Sequence, residues 1–145
     1  GLDTAIDESE IPSGADEHWA LAEQAFEQRQ FGRTRTLYRL FGERHGADER
    51  VDNALFRIGV SYLEENRPAT ALGELNNVQT NHPDGDVADD ALFAMANAFY
   101  ALHACADARS TLQALIRTHT SSPLLPRART RLREIQRAPR SYCTR

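Results

Sequence analysis

Three histidines recur at intervals of 37 residues, and they are the first side chains whose type and spacing could do chemistry. They are His45, His82 and His119. Imidazole nitrogens bind metal ions, but each must approach the ion to about 2 Å. Neighbouring units of a repeated helical structure stand on the order of 10 Å apart, which is the packing distance of helices. We therefore predict no metal site, and we expect each histidine to end a helix, where partial positive charge is favourable.

A second candidate for metal chemistry is the acidic segment Asp84-Gly-Asp-Val-Ala-Asp-Asp90. It lacks the twelve-residue ligand spacing and the terminal Glu of a calcium-binding loop. A turn followed by a helix N-cap is the better interpretation. The sequence also contains no G-x-S-x-G, H-E-x-x-H or C-x-x-C motif and no Gly-rich phosphate loop. We therefore predict no catalytic residue, no cofactor and no enzymatic activity.

The histidines belong to a repeat that organises most of the chain. Val87-Ala-Asp-Asp-Ala-Leu-Phe93 repeats Arg50-Val-Asp-Asn-Ala-Leu-Phe56 at a shift of 37 residues. Repetition at this scale, combined with apolar residues spaced three and four apart, predicts stacked helix pairs. We predict an all-α fold, a right-handed solenoid of three helix pairs plus a C-terminal capping helix, with Gly46 as a left-handed cap after the first pair. The pairs are predicted over residues 16–46, 51–83 and 87–120, and the capping helix over residues 124–137.

The two ends of the chain differ from the repeats. Residues 1–15 are acidic and lack apolar periodicity, so we predict a flexible lead-in. Residues 138–145 are predicted to form an Arg-rich tail outside the folded domain. Because the chain begins with Gly1 and its single methionine is Met95, we expect a trimmed piece of a longer protein, with any signal or anchor upstream. No run of residues is apolar enough to predict a transmembrane segment.

Charge is distributed unevenly along the sequence, whose net charge is −4. Residues 1–28 contain eight acidic residues and no basic one, whereas residues 109–145 contain nine arginines and one acidic residue. Such polarity can steer a partner or favour head-to-tail association of copies. Solvated ends without an electrostatic role are the alternative.

The two cysteines allow two interpretations. Cys105 and Cys143 could form a disulfide that ties the C-terminal tail to the body, which would suit an oxidising compartment. Connectivity cannot be read from a sequence, and we favour two unrelated thiols.

The middle repeat carries the pattern of a known family. Leu55-x2-Ile-Gly-x2-Tyr62, Ala71-x3-Leu75 and Pro83 follow the tetratricopeptide pattern, with Leu55 where Trp is common. The chain therefore resembles tetratricopeptide repeat proteins over roughly residues 17–136.

Three segments resemble more specifically the C-terminal region of the Tol-Pal-associated cell division coordinator family, and less closely the lipoproteins of the outer-membrane barrel-assembly machine. These segments are His82–Phe93, Ala108–Arg117 and Ser122–Leu132. The resemblance implies a non-catalytic adaptor of the bacterial cell envelope, periplasmic or outer-membrane-associated. A cytoplasmic location is the alternative.

In tetratricopeptide arrays the first helix of each pair lines a concave groove. By this resemblance, two columns of large apolar residues face the groove: Trp19, Phe56, Phe93 and Phe26, Leu63, Tyr100. The polar residues at its border are Asp16, Glu23, Asn53, Asp90, Asn97 and Arg127. We predict a hydrophobic trough that binds a peptide or segment of a protein partner, with self-association and ordinary core packing as alternatives.

Two ligand classes are not expected for this groove. Its positions are acidic, amide or aromatic, so the basic-and-Asn clamp that holds C-terminal carboxylates in some such modules is not recognisable. Nucleic acid is not expected either, because the Arg-rich C-terminal helix lacks aromatic side chains on which bases could stack.

Overall fold

The computed structural model describes residues 6–143, which contain seven α-helices, one short 3₁₀-helix (Glu8–Glu10) and no β-strand. The all-α prediction is confirmed, and each predicted pair corresponds to two helices. The helices are α1 (Ala15–Glu27), α2 (Phe31–Arg44), α3 (Val51–Glu64), α4 (Pro68–Asn81), α5 (Ala88–Ala101), α6 (Cys105–Thr118) and α7 (Leu125–Gln136).

The helices pack in chain order, which makes the molecule a helical solenoid. α1 packs on α2, α3 on α4 and α5 on α6, while α2 also contacts α3, α4 contacts α5, and α7 covers α6. One pair cannot bury its apolar face alone, so the pairs must stack. The first helices of neighbouring pairs also meet directly, as α3 contacts α5. The side formed by α1, α3 and α5 is therefore the inner, concave side.

The two helices of each pair are joined by the same three-residue turn. One residue in each turn has a positive φ: Arg29 at 59°, Asn66 at 58° and His103 at 66°. The next amide bonds back to the carbonyl five residues earlier, as Gln30 N–H does to Ala25 O at 2.9 Å. This is a Schellman motif, usually built on glycine. Here hydrogen bonds impose the left-handed conformation on three different residue types.

The connections between pairs are six residues long and begin at the repeated histidines. His45, His82 and His119 are the C-caps of α2, α4 and α6, which confirms their predicted places at helix ends. The chain then turns, with Asp48 N–H donating to His45 O at 2.9 Å. The prediction that Gly46 is a left-handed cap is wrong, because no glycine of the described residues has a positive φ. The left-handed residues lie in the turns inside the pairs instead.

Three buried apolar clusters follow one another along the solenoid, and each joins helices of neighbouring pairs or of the last pair and α7. The first helix of each pair carries a small residue at the equivalent position. These small residues are Ala22, Gly59 and Ala96, all buried. The large buried residues at equivalent positions of the second helices are Tyr38, Leu75 and Leu112. The closest approach is in the middle pair, where a Cβ added to Gly59 would lie 2.6 Å from Leu75 Cδ2. Only glycine fits there without a shift of the buried Leu75 side chain.

Replacing Gly59 with alanine should therefore destabilise the protein. Overpacking costs about 1–3 kcal/mol, which exceeds the gain of at most about 1 kcal/mol in helix propensity. Gly73→Ala is the matched control, because nothing lies within 4 Å of a Cβ at that position. It should stabilise the protein by about 0.5–1 kcal/mol. Urea unfolding of both variants measures the difference, and a Gly59→Ala protein as stable as Gly73→Ala would contradict the close approach.

The N-terminal end of the solenoid is covered by the segment before α1. Ile11 is only 7% exposed, and Ile6 packs against the same apolar cluster. The Arg44 guanidinium contacts the Glu8 carboxylate at 3.5 Å. The prediction of a flexible lead-in over residues 1–15 is thus wrong for residues 6–15. Ile6 and Ile11 pack on the apolar cluster of the first helices, although their spacing in the sequence shows no helical or strand periodicity. Residues 1–5 lie outside the described residues.

The C-terminal end is closed by α7 and by a disulfide. Cys105, the first residue of α6, is bonded to Cys143, with their Cα atoms 5.5 Å apart. The prediction of unrelated thiols is therefore wrong. The tail, predicted to lie outside the folded domain, packs on the turn between α5 and α6, where the Tyr142 ring centroid is 4.1 Å from that of His103. Residues 144 and 145 lie outside the described residues.

Candidate functional site

The concave face carries the two predicted columns of large apolar residues. Each column has one member on each of α1, α3 and α5, and all six side chains are half-buried. The first column is Trp19, Phe56 and Phe93, and the second is Phe26, Leu63 and Tyr100. All six are therefore partly covered by the fold and keep part of their surface accessible.

Four of these six side chains are covered by arginines that the sequence analysis did not place in the groove as ring partners. The guanidinium carbon lies 5.4 Å from the ring centroid for Arg50 over Trp19, 4.8 Å for Arg57 over Phe26, 4.9 Å for Arg127 over Phe93, and 4.8 Å for Arg131 over Tyr100. Such cation–π contacts contribute roughly 0.5–1 kcal/mol each at exposed sites. The ends of the groove are therefore not a bare hydrophobic trough.

In the middle of the groove, no arginine of the described residues lies over the Phe56 ring. Three of the four pairs follow a spacing of 31 residues, from Trp19 to Arg50, Phe26 to Arg57 and Tyr100 to Arg131. In the middle pair, the residue 31 positions after Phe56 is Val87, and the residue 31 positions after Leu63 is Ala94. Neither is an arginine, so neither can cover a column residue with a guanidinium.

Ala94 occupies the position between Arg57 and Arg131 in successive repeats. We call the surface formed by Phe56, Leu63 and Ala94 the central gap. All three side chains are partly buried and pack on the apolar cluster that joins α4 and α5.

The predicted polar border residues are mostly engaged within the chain. Asn97 Oδ1 accepts a hydrogen bond from Arg131 Nε at 2.9 Å. Asn53 Nδ2 donates to Asp86 Oδ2 over a long 3.5 Å. Asp90 is half-buried, and its burial together with the carboxylates of neighbouring aspartates raises its pKa. Of the two border asparagines, Asn53 has the side-chain amide with the weaker hydrogen bond within the chain.

The outer members of the columns are held more tightly than those in the middle. Trp19 lies between the rings of Tyr38 and Phe41, with centroids 5.0 and 5.1 Å away. At the other end, the Tyr142 hydroxyl donates to Tyr100 O at 2.7 Å, and the two rings are 4.7 Å apart. For these two positions, ordinary core packing is a better description than a binding surface.

The acidic segment before α5 forms a turn, as predicted, with Gly85 N–H donating to His82 O at 3.1 Å. The helix N-cap predicted for this segment is Val87, and no side chain makes a capping hydrogen bond there. Asp52 of α3 is buried beside this turn, and its burial and the Asp86 carboxylate raise its pKa. Over the described range, no three His, Cys, Asp or Glu side chains converge as metal ligands would.

Comparison with known families identifies the repeat. The model of the tetratricopeptide repeat family matches residues 53–85 and 90–122. These two stretches are tetratricopeptide repeats. They coincide with α3–α4 and α5–α6, and the pair α1–α2 has the same turn and the same terminal histidine outside the matched range. A comparison with curated proteins gave no match.

Tetratricopeptide repeats generally mediate protein–protein interactions and typically have no enzymatic activity of their own. The fold therefore indicates protein partners, which agrees with the coarser part of the sequence prediction. Within residues 6–143, no helix has the length and apolar character needed to cross a membrane.

Proposed function

We propose that this chain is a non-catalytic adaptor whose concave face holds a segment of a partner protein. The observation that carries the proposal is the central gap, where no described arginine lies over the Phe56 ring and Ala94 stands at the position from which Arg57 and Arg131 reach the rings of Phe26 and Tyr100. Accessible large apolar side chains in a concave surface are typical of peptide-recognition grooves. An apolar anchor residue of the partner would enter the gap between the covered ends.

The polar neighbours of the gap suit an extended backbone. The side-chain amide of Asn53 makes one hydrogen bond to a described residue, the long one to Asp86, so it can turn toward a peptide carbonyl. Asp90, on the next first helix, presents a carboxylate to a peptide N–H. Asn97, fixed by Arg131, would serve to shape the far wall rather than to bind. The affinity would come from the apolar anchor, and these polar groups would set its register.

The proposed setting is the bacterial cell envelope, periplasmic or outer-membrane-associated. One support is the resemblance of residues 82–93, 108–117 and 122–132 to the Tol-Pal-associated cell division coordinator family. The second is the disulfide between Cys105 and Cys143, because disulfides persist in oxidising compartments and are rare in the cytosol. This bond weighs against the cytoplasmic alternative.

Replacing Phe56 with aspartate should abolish partner capture, because a carboxylate in the central gap must be desolvated against the apolar anchor. Affinity capture from an envelope extract of the source organism, with bound proteins identified by mass spectrometry, measures this effect. Phe93→Asp should weaken capture less, since Arg127 already covers Phe93. A few buried anchors contribute a large fraction of the binding free energy at such interfaces, so Phe56→Asp should lower the affinity for the partner at least tenfold.

Ile116→Asp is the matched control for this experiment. Ile116 is half-buried on α6, a second helix that does not line the concave side, so the same kind of substitution should leave capture intact. Circular dichroism shows whether each variant remains folded. Equal recovery of the partner by wild type and by folded Phe56→Asp and Phe93→Asp would refute the groove.

A structural role through self-assembly is the second candidate, and the charge distribution favours it. α1 carries four acidic residues and no basic one, whereas α7 carries four arginines and one acidic residue. Opposite charges at the two ends would favour head-to-tail contacts between copies. Light scattering across salt concentrations distinguishes the two candidates, because an oligomer held by charge dissociates as salt increases.

A further inference from the structure

A pocket lies between α5 and α7, at the C-terminal end of the concave side. Its volume is about 350 Å³, and it is lined by Phe93, Pro126, Arg127, Thr130, Arg131 and Glu134. Since a water molecule takes up about 30 Å³ in the liquid, the pocket can hold a large side chain. Phe93 belongs to the first column and directly precedes Ala94 of the central gap, so the pocket continues the groove beyond that gap.

Aromatic rings hold the two guanidinium groups of this pocket in place. Arg127 and Arg131 are four residues apart on α7. Their guanidinium groups lie over the rings of Phe93 and Tyr100, respectively, which are seven residues apart on α5. Like charges at a spacing of four residues destabilise a helix. The rings thus keep together two cations that repel each other, and an anion bound beside both would relieve the repulsion.

Two of the arginines that cover column rings have their charge compensated within the chain. Arg50 forms ion pairs with Asp16 and Asp48, at nitrogen–oxygen distances of 2.9 and 3.0 Å. Arg131 pairs with Glu134, and the distance between its Nη1 and the Glu134 Oε2 is 3.0 Å. A partner is not needed to neutralise these two guanidinium groups.

Arg127 carries a charge without such a counter-ion. Its guanidinium forms no ion pair with any residue in the part of the chain that the structure describes. Burial raises the pKa of Asp90, and the charge of Arg127 opposes this rise from beyond ion-pair distance. Arg127 also lies in the first turn of α7, where the helix dipole adds positive potential. The pocket lining therefore has an excess of one positive charge, with the hydroxyl of Thr130 beside it.

We propose that this pocket binds the side-chain carboxylate of an acidic residue of the partner segment. A guanidinium presents its N–H donors in a planar fork that fits the two oxygens of a carboxylate. Arg127 would form this pair, Arg131 would add the N–H donors that Glu134 leaves unused, and the hydroxyl of Thr130 can donate to the same group. The proposal rests on the proposed function, since it names one residue of the segment in the groove.

Other occupants fit less well. An ammonium or a guanidinium would meet two like charges. An apolar side chain would remove water from the Arg127 guanidinium without replacing its hydrogen bonds. The sequence predicts one basic residue at the groove, Arg127, and the structure adds Arg131, because α7 packs against the last pair.

Nα-acetyl-glutamate methylamide tests this pocket in the absence of the partner. Added to the ¹⁵N-labelled chain at constant ionic strength, it should shift the amide resonances around Phe93, Arg127 and Thr130 in a saturable manner. Nα-acetyl-glutamine methylamide is the matched neutral probe and should give shifts at least fivefold smaller at equal concentration. Nα-acetyl-alanine has its carboxylate at the chain end, without a methylene stem that can enter the pocket, and should also give smaller shifts.

Arg127→Gln should weaken binding of the glutamate probe at least threefold, because it removes the charge that lacks a counter-ion. Arg129→Gln is the matched control, since it makes the same change in charge at an exposed position of α7 that does not line the pocket. It should change the titration less than twofold, and circular dichroism shows whether both variants remain folded. Equal shifts from the glutamate and glutamine probes, stronger shifts from Nα-acetyl-alanine, or equal losses in Arg127→Gln and Arg129→Gln would overturn the proposal.

Phe56→Asp separates this proposal from the proposed function. The substitution lies in the central gap and should change the titration with the glutamate probe less than twofold. A protein that binds the glutamate probe, but captures its partner equally well with and without Phe56→Asp, would contradict the groove and leave the carboxylate pocket supported. The reverse pattern, in which Phe56→Asp abolishes capture and wild type ignores the glutamate probe, overturns the pocket alone.

Discussion

Replacing Cys143 with serine should lower the free energy of unfolding by up to about 4 kcal/mol. The disulfide joins residues separated by 38 positions, and a loop of that length restricts the unfolded chain by about this amount in the chain-entropy description. This is a large part of the stability of a small domain, which is about 5–15 kcal/mol in total. Urea unfolding measures the change.

The folded state should also loosen locally, because the disulfide positions several other contacts. Tyr142 donates its hydroxyl to Tyr100 O, and its own carbonyl accepts a hydrogen bond from His103 Nδ1 at 2.9 Å. Without the bond to Cys105, these contacts depend on a short terminal segment alone. Hydrogen exchange in the turn between α5 and α6 should therefore increase more than exchange in α1 and α2.

Two controls make this prediction specific. Wild type treated with a reductant should reproduce the unfolding midpoint of Cys143→Ser, and Ser141→Ala, an exposed change two residues away, should have no effect. If Cys143→Ser and reduced wild type unfold at the same urea concentration as the oxidised protein, the disulfide does not stabilise the C-terminal end.

Periodicity made most of the fold predictable. A shift of 37 residues is sufficient to define three helix pairs, because apolar residues spaced three and four apart must share a helix face. The turn residues Arg29, Asn66 and His103 could not be predicted in the same way. Asn66 and His103 belong to residue types that are enriched in the left-handed region, but Arg29 does not, and the Schellman hydrogen bonds impose that conformation in all three turns.

The site was predictable only in part, because its decisive contacts join different helix pairs. The columns that contain Phe56 and Leu63 follow from the repeat. The positions of the arginines over the outer rings do not follow from the repeat. Residues 31 positions apart are in contact only because successive pairs stack in one particular way, and the sequence does not show how they stack. The same reason explains why the pairing of Cys105 with Cys143 was missed, as the bond depends on a tail that turns back after α7.

Replacing Ala94 with arginine should abolish partner binding by giving the middle repeat the cover that its neighbours have. Ala94 stands between Arg57 and Arg131 in successive repeats, on the same face of its helix. An arginine there can lie over Leu63 as Arg57 lies over Phe26, and so fill the central gap. Arginine is a good helix former, so α5 should remain intact.

We expect at least a tenfold loss in affinity for the partner captured by wild type, which corresponds to about 1.4 kcal/mol. Isothermal titration calorimetry of the variant with the purified partner measures this loss. The midpoint of thermal unfolding should change little. Gln113→Arg, an exposed substitution on α6 with the same change in charge, controls for the added cation. A folded Ala94→Arg protein that binds its partner as tightly as Gln113→Arg would show that the gap is not where the partner is anchored. Ala94→Arg adds atoms and truncates no core side chain. If the variant loses binding but keeps its stability, the alanine at this position of the wild type serves partner binding rather than packing.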